Sequence, residues 1–267
     1  MREFAFDKMH GAGNDFVVTH DAGCPSDRAA VAGICDRKCG IGSDGLIRLS
    51  PEPGGIRFQF WNPDGEKAEM CGNGLRCAME YACRHGLAEG KKAVFFTDSG
   101  ELSAERILPE LIRIRMPRIT EPVMKTVRNY DCFFTKVGVP HAVVAVDDLE
   151  NLDAVKTGRL LRYSAEFAPE GTNVDFVKIL DPDSLEIRTY ERGVEDETLA
   201  CGTGVTASAL FLMKNMNGAK KKHIFCRSGD EITVEFPENG DILEGVYLTG
   251  PAVTVFSGRY CIKQKST

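Results

Sequence analysis

The chain carries an internal repeat, because several short segments of its first half recur in the same order in its second half. The closest match sets residues 70–74 (MCGNG) against residues 200–204 (ACGTG). Five matched segments keep an offset of 128 to 130 residues, as Cys201 does against Cys71. Turn residues scattered by chance would not hold this register. The sequence therefore predicts two copies of one fold.

The repeated segments indicate which elements each copy contains. Strand-loop-strand openings fall at residues 8–18 and 136–144, and strands with a period of two at residues 56–60 and 185–189. A helical pattern follows each matched cysteine. One face of the first helix carries Leu75, Ala78, Met79 and Ala82, and the same phase of the second carries Val205, Ser208, Ala209 and Leu212. We predict an α/β fold of the α+β type, with two pseudo-symmetric domains of mostly antiparallel strands wrapped around a central helix. We predict that the two domains join near Pro117 to Pro122, because prolines interrupt strands.

Composition excludes several classes of protein. Apolar residues make up 43% of the 267 residues, and no apolar run approaches the roughly 20 residues of a membrane helix. The first ten residues do not resemble a signal peptide, so we expect a cytoplasmic protein without membrane association. A net charge of -6 argues against a nucleic-acid partner. The basic cluster Lys220–Lys222 is interpreted as a solvated turn or a helix end.

The ten cysteines do not indicate a disulfide framework or a zinc site. They never occur as Cys-x-x-Cys, and the five histidines stand far apart. We therefore predict no metal and expect most of these cysteines to be small buried apolar residues.

Cys71 and Cys201 are the exceptions, because both stand just before a Gly-x-Gly segment that opens a helix. Helix N-termini offer unpaired N–H groups and a positive dipole end, which lower the pKa of a thiol and bind carboxylates. Two such domains would bring the thiols to opposite faces of one carbon, across a cleft between the domains. Inverting a stereocentre needs this arrangement, with one acid and one base that exchange roles.

Three other interpretations of these residues fit the sequence less well. Both cysteines could be buried structural residues, although their equivalence in the repeat argues against this. A nucleophilic cysteine with a distant His and Asn explains one cysteine and not its copy. The glycines at 72–74 and 11–13 lack the full nucleotide-binding fingerprint.

The sequence resembles the diaminopimelate epimerase family over essentially its whole length. The matching motifs are residues 8–16 (KMHGAGNDF), 62–66 (NPDGE), 70–77 (MCGNGLRC), 190–193 (YERG) and 200–204 (ACGTG). The resemblance implies a PLP-independent epimerase that interconverts LL- and meso-2,6-diaminopimelate on the route to lysine and peptidoglycan, without a cofactor and as a possible homodimer. It also implies that the C-terminal strand returns to the first domain, giving domains of 1–118 with 256–267, and of 119–255.

The resemblance assigns further site residues. Asn14, Asn62, Asn173 and Arg192 are expected to bind polar groups of the substrate, and Gly72, Asn73, Gly202 and Thr203 to hold it at the helix N-termini. His141 and Glu191 are expected to orient or tune the thiols, and Glu191 also to contact substrate. Plainer roles remain open: turn residues for Asn14 and Asn173, a surface charge for Arg192, and a core histidine for His141.

Val139 departs from the family pattern, which has Asn before the Pro-His pair. This loses an amide expected near the distal end of the substrate. Competing hypotheses are a racemase of the same fold acting on another amino acid such as histidine, a proline racemase, and a noncatalytic thiol protein that binds metal or senses redox state.

Overall fold

The computed structural model describes residues 2–68, 71–98 and 100–262. Of these, the residues up to Ile114 and from Pro251 onward form one compact unit, unit 1, and Arg115–Gly250 form unit 2. Met70 and Ser99 of the repeated segments, and residues 263–267 of the predicted C-terminal strand, lie outside the described residues.

Apart from one outer strand and a short 3-10 turn, the two units have the same order of elements. Those of unit 1 are β1 (Arg2–Gly11), β2 (Asn14–Thr19), α1 (Arg28–Cys35), β3 (Gly45–Glu52), β4 (Gly55–Trp61), β5 (Lys67–Ala68), α2 (Gly72–Arg84), β6 (Lys92–Thr97), β7 (Gly100–Leu108), β8 (Leu111–Arg115) and β18 (Val253–Ile262). Those of unit 2 are β9 (Val123–Val127), β10 (Tyr130–Val137), β11 (Val139–Ala145), α3 (Ala154–Arg162), a 3-10 turn (Ala165–Phe167), β12 (Asn173–Asp181), β13 (Ser184–Glu191), β14 (Asp196–Thr198), α4 (Gly202–Asn215), β15 (Lys221–Phe225), β16 (Glu231–Glu235) and β17 (Tyr247–Pro251).

Strand pairing repeats from one unit to the other. In unit 1, β1–β2, β3–β4 and β6–β7 are antiparallel, whereas β2–β3 and β4–β6 are parallel. In unit 2, β10–β11, β12–β13 and β15–β16 are antiparallel, whereas β11–β12 and β13–β15 are parallel. The predicted duplication and the mostly antiparallel α+β architecture are confirmed.

One strand position is filled differently in the two units. In unit 2, β9 lies antiparallel to β10 and immediately precedes it in the chain. In unit 1, the equivalent place beside β1 is taken by β18, which comes from the end of the chain. The chain therefore leaves unit 1, builds unit 2 and returns to complete the first sheet.

The central helix of each unit is buried on nearly all sides. In α2, every residue from Asn73 to Ala82 is buried, including Arg76 and Glu80. Arg76 Nε donates to the Pro251 carbonyl at 3.1 Å, and Glu80 pairs with Arg106 at 2.8 Å. The sequence predicted that α2 buries one apolar face, but strands and loops enclose the helix on nearly all sides. Its charged groups are accommodated because they find partners inside the unit.

The prediction for the basic cluster is wrong. Lys222 lies in β15, and its side chain is fully buried. Its ammonium contacts the Asp183 carboxylate at 2.9 Å and the Pro182 carbonyl at 2.8 Å. A buried cation is tolerated because a carboxylate and a carbonyl satisfy it. Six of the ten cysteines are buried, as expected, and all ten are free thiols.

Candidate functional site

Cys71 is the N-cap residue of α2. Its backbone is extended (φ -134°, ψ 121°), and its Sγ accepts a hydrogen bond from the Gly74 N–H at 3.5 Å. The thiol is half-buried. Cys71 therefore stands at the positive end of the helix dipole, beside the first-turn N–H groups of Gly72 and Asn73.

An amide from the β1–β2 hairpin lies beside Cys71. Asn14 Oδ1 accepts hydrogen bonds from the Cys71 thiol at 3.5 Å and from Asn73 Nδ2 at 3.2 Å. Its Nδ2 donates to the Asp44 carboxylate at 2.8 Å. Asp44 therefore fixes the orientation of the Asn14 amide, with the carbonyl toward the thiol.

An ion-pair cluster holds the Asp44 carboxylate that binds this amide. Asp15 accepts hydrogen bonds from Arg37, and its carboxylate also lies 2.5 Å from Lys8 Nζ. Burial alone would raise the pKa of Asp15, but the hydrogen bonds from Arg37 and Lys8 outweigh it and hold that pKa well below its usual range. Arg37 also pairs with Asp44 at 2.7 Å, which ties the cluster to Asn14.

Cys201 occupies the same position at α4. It is the N-cap residue, with a similar extended backbone (φ -121°, ψ 110°), but it is buried. Its Sγ lies 3.4 Å from the hydroxyl of Thr203. The two cysteines therefore occupy equivalent places in the two copies of the fold.

The expectation of a lowered thiol pKa is wrong for Cys201. Burial raises the pKa of this thiol well above its usual range, and the negative charges of Glu191 and Asp175 raise it further. The Thr203 hydrogen bond lowers it only in part. Loss of solvation and two nearby carboxylates therefore outweigh the helix N-terminus.

His141 lies behind Thr203 in unit 2. Its Nε2 is 2.9 Å from the Thr203 hydroxyl, and its Nδ1 is 2.7 Å from Asp175 Oδ2. The side chains of His141 and Asp175 are both fully buried. Asp175 Oδ1 accepts a further hydrogen bond from Thr189 at 2.8 Å. The structure thus connects His141 to Cys201 through Thr203.

Asn173 and Arg192 lie close together in unit 2. Asn173 is buried, and its Oδ1 accepts the Arg192 backbone N–H at 2.7 Å while its Nδ2 donates to the Pro140 carbonyl at 3.1 Å. The half-buried Arg192 guanidinium donates to the Glu170 carbonyl at 3.2 Å. Glu191, at the end of β13, is half-buried.

The remaining predicted residues lie at element ends. Asn62 is exposed in the turn after β4, where its backbone carbonyl accepts the Gly65 N–H at 2.9 Å. Gly202 begins α4 and is buried. Val139 begins β11 opposite Val137 and is half-buried.

Two acidic residues were missed by sequence reasoning. Asp44 stands in a glycine-rich turn, where an aspartate is typical without any role in a site. Asp175 stands between the apolar residues Val174 and Phe176 of β12. A carboxylate is costly to bury, so an aspartate inside an apolar strand could have indicated from the sequence that Asp175 belongs to a site.

The described residues contain neither a metal-binding cluster nor a membrane-spanning helix. Among residues 2–68, 71–98 and 100–262, no cluster of three or more His, Cys, Asp or Glu side chains is placed to hold a metal ion. Within the same ranges, every helix is too short or too polar to cross a bilayer.

Solved structures share this fold. A phenazine biosynthesis protein of the PhzF family from Enterococcus faecalis superposes with a TM-score of 0.74 at 14% identity, covering 97% of this chain and 99% of that chain. A hydroxyproline epimerase from Agrobacterium vitis, with bound trans-4-hydroxy-L-proline, superposes with a TM-score of 0.71 at 14% identity, covering 99% and 94%. The fold is therefore the duplicated one found in PhzF proteins and proline racemase-like enzymes.

Sequence comparison identifies the family within that class. The diaminopimelate epimerase family model matches residues 6–107 and 133–255. The diaminopimelate epimerase of Aquifex aeolicus (strain VF5) is 39% identical over 274 residues, covering 95% of this chain and 96% of its own. The chain belongs to the diaminopimelate epimerase family, and it is an epimerase, an enzyme of the isomerase class.

Proposed function

We propose that the chain interconverts LL- and meso-2,6-diaminopimelate by moving the α-proton between Cys71 and Cys201, without PLP, on the route to lysine and peptidoglycan. One observation carries the proposal: each cysteine is the N-cap of the central helix in its own copy of the fold. Equivalent positions in a duplicated fold suit two groups that must exchange the roles of acid and base.

In this proposal the two thiols approach the α-carbon from opposite faces. One cysteine, as thiolate, removes the proton, and the other, as thiol, delivers a proton to the opposite face. The N–H groups at the start of α2 and α4, including those of Asn73 and Thr203, hold the α-carboxylate. They also stabilise the charge that develops on it when the proton leaves.

We further propose that the polar side chains around these helix ends select the substrate. Asn14, Asn62 and Asn173 would bind its amino and carboxylate groups, and Arg192 is suited to a bidentate grip on the distal carboxylate. Glu191 and His141 would tune the thiols. Support for Glu191 comes from its charge, which acts on Cys201.

The test follows solvent deuterium incorporation at the α-carbon by proton NMR in D2O, with diaminopimelate offered to the reduced protein beside histidine, proline, glutamate and lysine. Cys71→Ala and Cys201→Ala should each lower turnover by at least about 100-fold, the usual contribution of one acid or base. Cys39→Ala, at an exposed thiol outside the site, should remain within about threefold of the parent. Full turnover in the Cys71→Ala, Cys201→Ala double variant would contradict the proposal.

A second candidate, a racemase acting on another amino acid, is favoured by Val139. If diaminopimelate is the substrate, Val139→Asn should raise its kcat/KM by about 10-fold or more, since a hydrogen bond to a charged group contributes about 1.5–3 kcal/mol. Turnover of histidine or another panel member, with no turnover of diaminopimelate in either protein, would favour the second candidate.

A further inference from the structure

The turn that carries Arg192 is held by an acidic side chain of the same turn. Strands β13 and β14 form a hairpin in which Glu191 lies opposite Asp196, so that residues 192–195 make a four-residue turn. Gly193 and Val194 in this turn are exposed. An exposed turn is mobile unless contacts hold it. The position of the Arg192 side chain therefore depends on what fixes the turn.

The Glu195 carboxylate reaches back across this turn. Its Oε1 accepts the Gly193 N–H at 3.1 Å, and its Oε2 accepts the hydroxyl of the buried Tyr190 at 3.2 Å. The Glu195 N–H itself donates to the Glu191 carbonyl at 2.8 Å. These bonds close the turn around Arg192 and satisfy its backbone groups.

Glu195 has a backbone conformation that is unfavourable for its residue type. Its φ is +60°, in the left-handed region that glutamate rarely adopts. Gly193 is also at positive φ, +94°, but it has no Cβ to oppose this conformation. A residue with a side chain keeps such a conformation only where its surroundings hold it there. The bonds of the carboxylate hold Glu195 in this conformation.

Arg162 of α3 pairs with the Glu195 carboxylate. Its Nη2 and Nε donate to Glu195 Oε1 at 3.2 Å and 3.3 Å, and its side chain is only 14% exposed. Burial alone would raise the pKa of Glu195, but hydrogen bonds from Gly193 and two tyrosines, with the charge of Arg162, outweigh it and lower that pKa. The carboxylate is therefore ionised at neutral pH, and its hydrogen bonds are charge-assisted.

Arg162 and Arg192 also meet at one carbonyl. The Glu170 carbonyl accepts Arg192 Nη1 at 3.2 Å and Arg162 Nη1 at 3.5 Å. Gly171 leaves space for this arrangement, because a Cβ there would overlap the Arg162 guanidinium. Arg162 thus contacts both the turn from which Arg192 extends and the carbonyl that the Arg192 guanidinium binds.

We propose that Glu195, paired with Arg162, is a positioning residue that fixes the 192–195 turn and so orients the Arg192 guanidinium toward the distal carboxylate of the substrate. This inference rests on the proposed function, in which Arg192 binds that carboxylate. The Glu170 bond uses Nη1, so the Nε and Nη2 edge can meet both carboxylate oxygens. A guanidinium that is already oriented also loses less conformational entropy on binding. The Arg162–Glu195 pair therefore determines specificity for a substrate with a second carboxylate.

The expected kinetic signature is a raised KM with little change in kcat. The distal carboxylate is bound alike in the ground state and the transition state, because charge develops at the other end of the substrate. Glu195→Asn removes the charge and shortens the side chain, while asparagine tolerates positive φ. It should raise the KM for diaminopimelate about 10-fold and leave kcat within about threefold of the parent.

Two further variants accompany Glu195→Asn. Arg162→Gln removes the other member of the pair, and it should raise the KM by a similar factor. Glu121→Gln is the matched control, because Glu121 is an exposed carboxylate of unit 2 that pairs with Lys214 at 3.0 Å. It should leave the KM within about twofold of the parent. An unchanged KM in both Glu195→Asn and Arg162→Gln would overturn the proposal.

A double-mutant cycle shows whether Glu195 acts through Arg192. In an Arg192→Ala background, Glu195→Asn should lower kcat/KM by no more than about twofold, since the group that it positions is already lost. A general effect on the folding of unit 2 would lower kcat/KM by the same factor in both backgrounds. Equal losses in the two backgrounds would therefore contradict a positioning role.

Amide hydrogen exchange followed by NMR tests the turn without substrate. The Gly193 N–H should exchange at least about 10-fold faster in Glu195→Asn than in the parent, while the amides of the buried strand β12 keep their parental rates. A Gly193 N–H that exchanges equally fast in both proteins would contradict the proposal even if diaminopimelate is the substrate. If no amino acid is epimerised, the proposed function fails, and the exchange rates still decide whether Glu195 holds the turn.

Discussion

The carboxylate of Asp175 lies directly against Gly204, so that a Cβ at position 204 would stand 2.3 Å from Oδ1. Only glycine leaves room there for the acid, its partner His141 and the first turn of α4. The second glycine after the cysteine is therefore required by packing in unit 2, where the carboxylate leaves no room for a methyl group.

Gly204→Ala should destabilise unit 2, because the added methyl must displace a hydrogen-bonded buried carboxylate. We expect a loss of about 1–3 kcal/mol in the free energy of unfolding, as for other overpacked sites. The matched change Gly74→Ala meets only the flexible end of Ile47 at 3.0 Å, and helix propensity partly offsets this contact. Urea unfolding of both variants checks the difference. A smaller loss for Gly204→Ala than for Gly74→Ala would contradict the packing described here.

The Cys201 thiol should react slowly with iodoacetamide in the substrate-free enzyme. Its raised pKa means that the thiolate forms only above the ordinary thiol value of 9.0. Its alkylation rate, read by peptide mass spectrometry, should therefore still be rising at pH 9, with exposed Cys39 in the same sample as the reagent control. A rate for Cys201 that reaches its plateau below pH 8 would contradict the raised pKa.

Asp15 should stabilise the fold at neutral pH and lose this effect in acid. Its pKa is lowered in the folded protein, so its ionised form favours folding above the ordinary value of 3.8, and this contribution disappears as the pH falls through the folded-state pKa. Asp15→Asn should cost about 1–3 kcal/mol at pH 7, and the difference should shrink below pH 3.8.

Unfolding followed by circular dichroism across this pH range measures the effect. Asp64→Asn, at a half-exposed carboxylate 3.8 Å from Arg28, serves as the control and should change stability by less than about 0.5 kcal/mol. A cost for Asp15→Asn that stays constant from pH 7 to pH 2.5 would show that the carboxylate charge is not the cause.

The repeat made the fold predictable, because a matched order of motifs implies a matched order of elements. Both hairpins, both central helices and both N-cap cysteines follow from it. The shorter helices α1 and α3 did not, since Arg28–Cys35 and Ala154–Arg162 have no counterpart among the matched motifs. Their sequences have diverged, although the two helices occupy equivalent positions in the element order.

The buried contact between Asp175 and His141 could not be predicted, because it depends on pairing between distant strands. Parallel pairing of β11 with β12 sets His141 opposite Asn173 and brings Asp175, two residues further along β12, within reach of the imidazole. A sequence pattern shows strands but not which ones pair, so Asp175 and His141 remain 34 positions apart until the sheet is assembled. The raised pKa of the Cys201 thiol could not be predicted for the same reason, since it depends on burial and on the charges of Glu191 and Asp175 in the assembled unit.

The most direct test of the two-base account is the early distribution of deuterium at the α-carbon during turnover of diaminopimelate in D2O. If Cys71 and Cys201 act on opposite faces, the first product should carry solvent deuterium, while the recovered substrate should still carry protium. Equal labelling of substrate and product, or a product that retains the substrate proton, would indicate a single base and contradict the account.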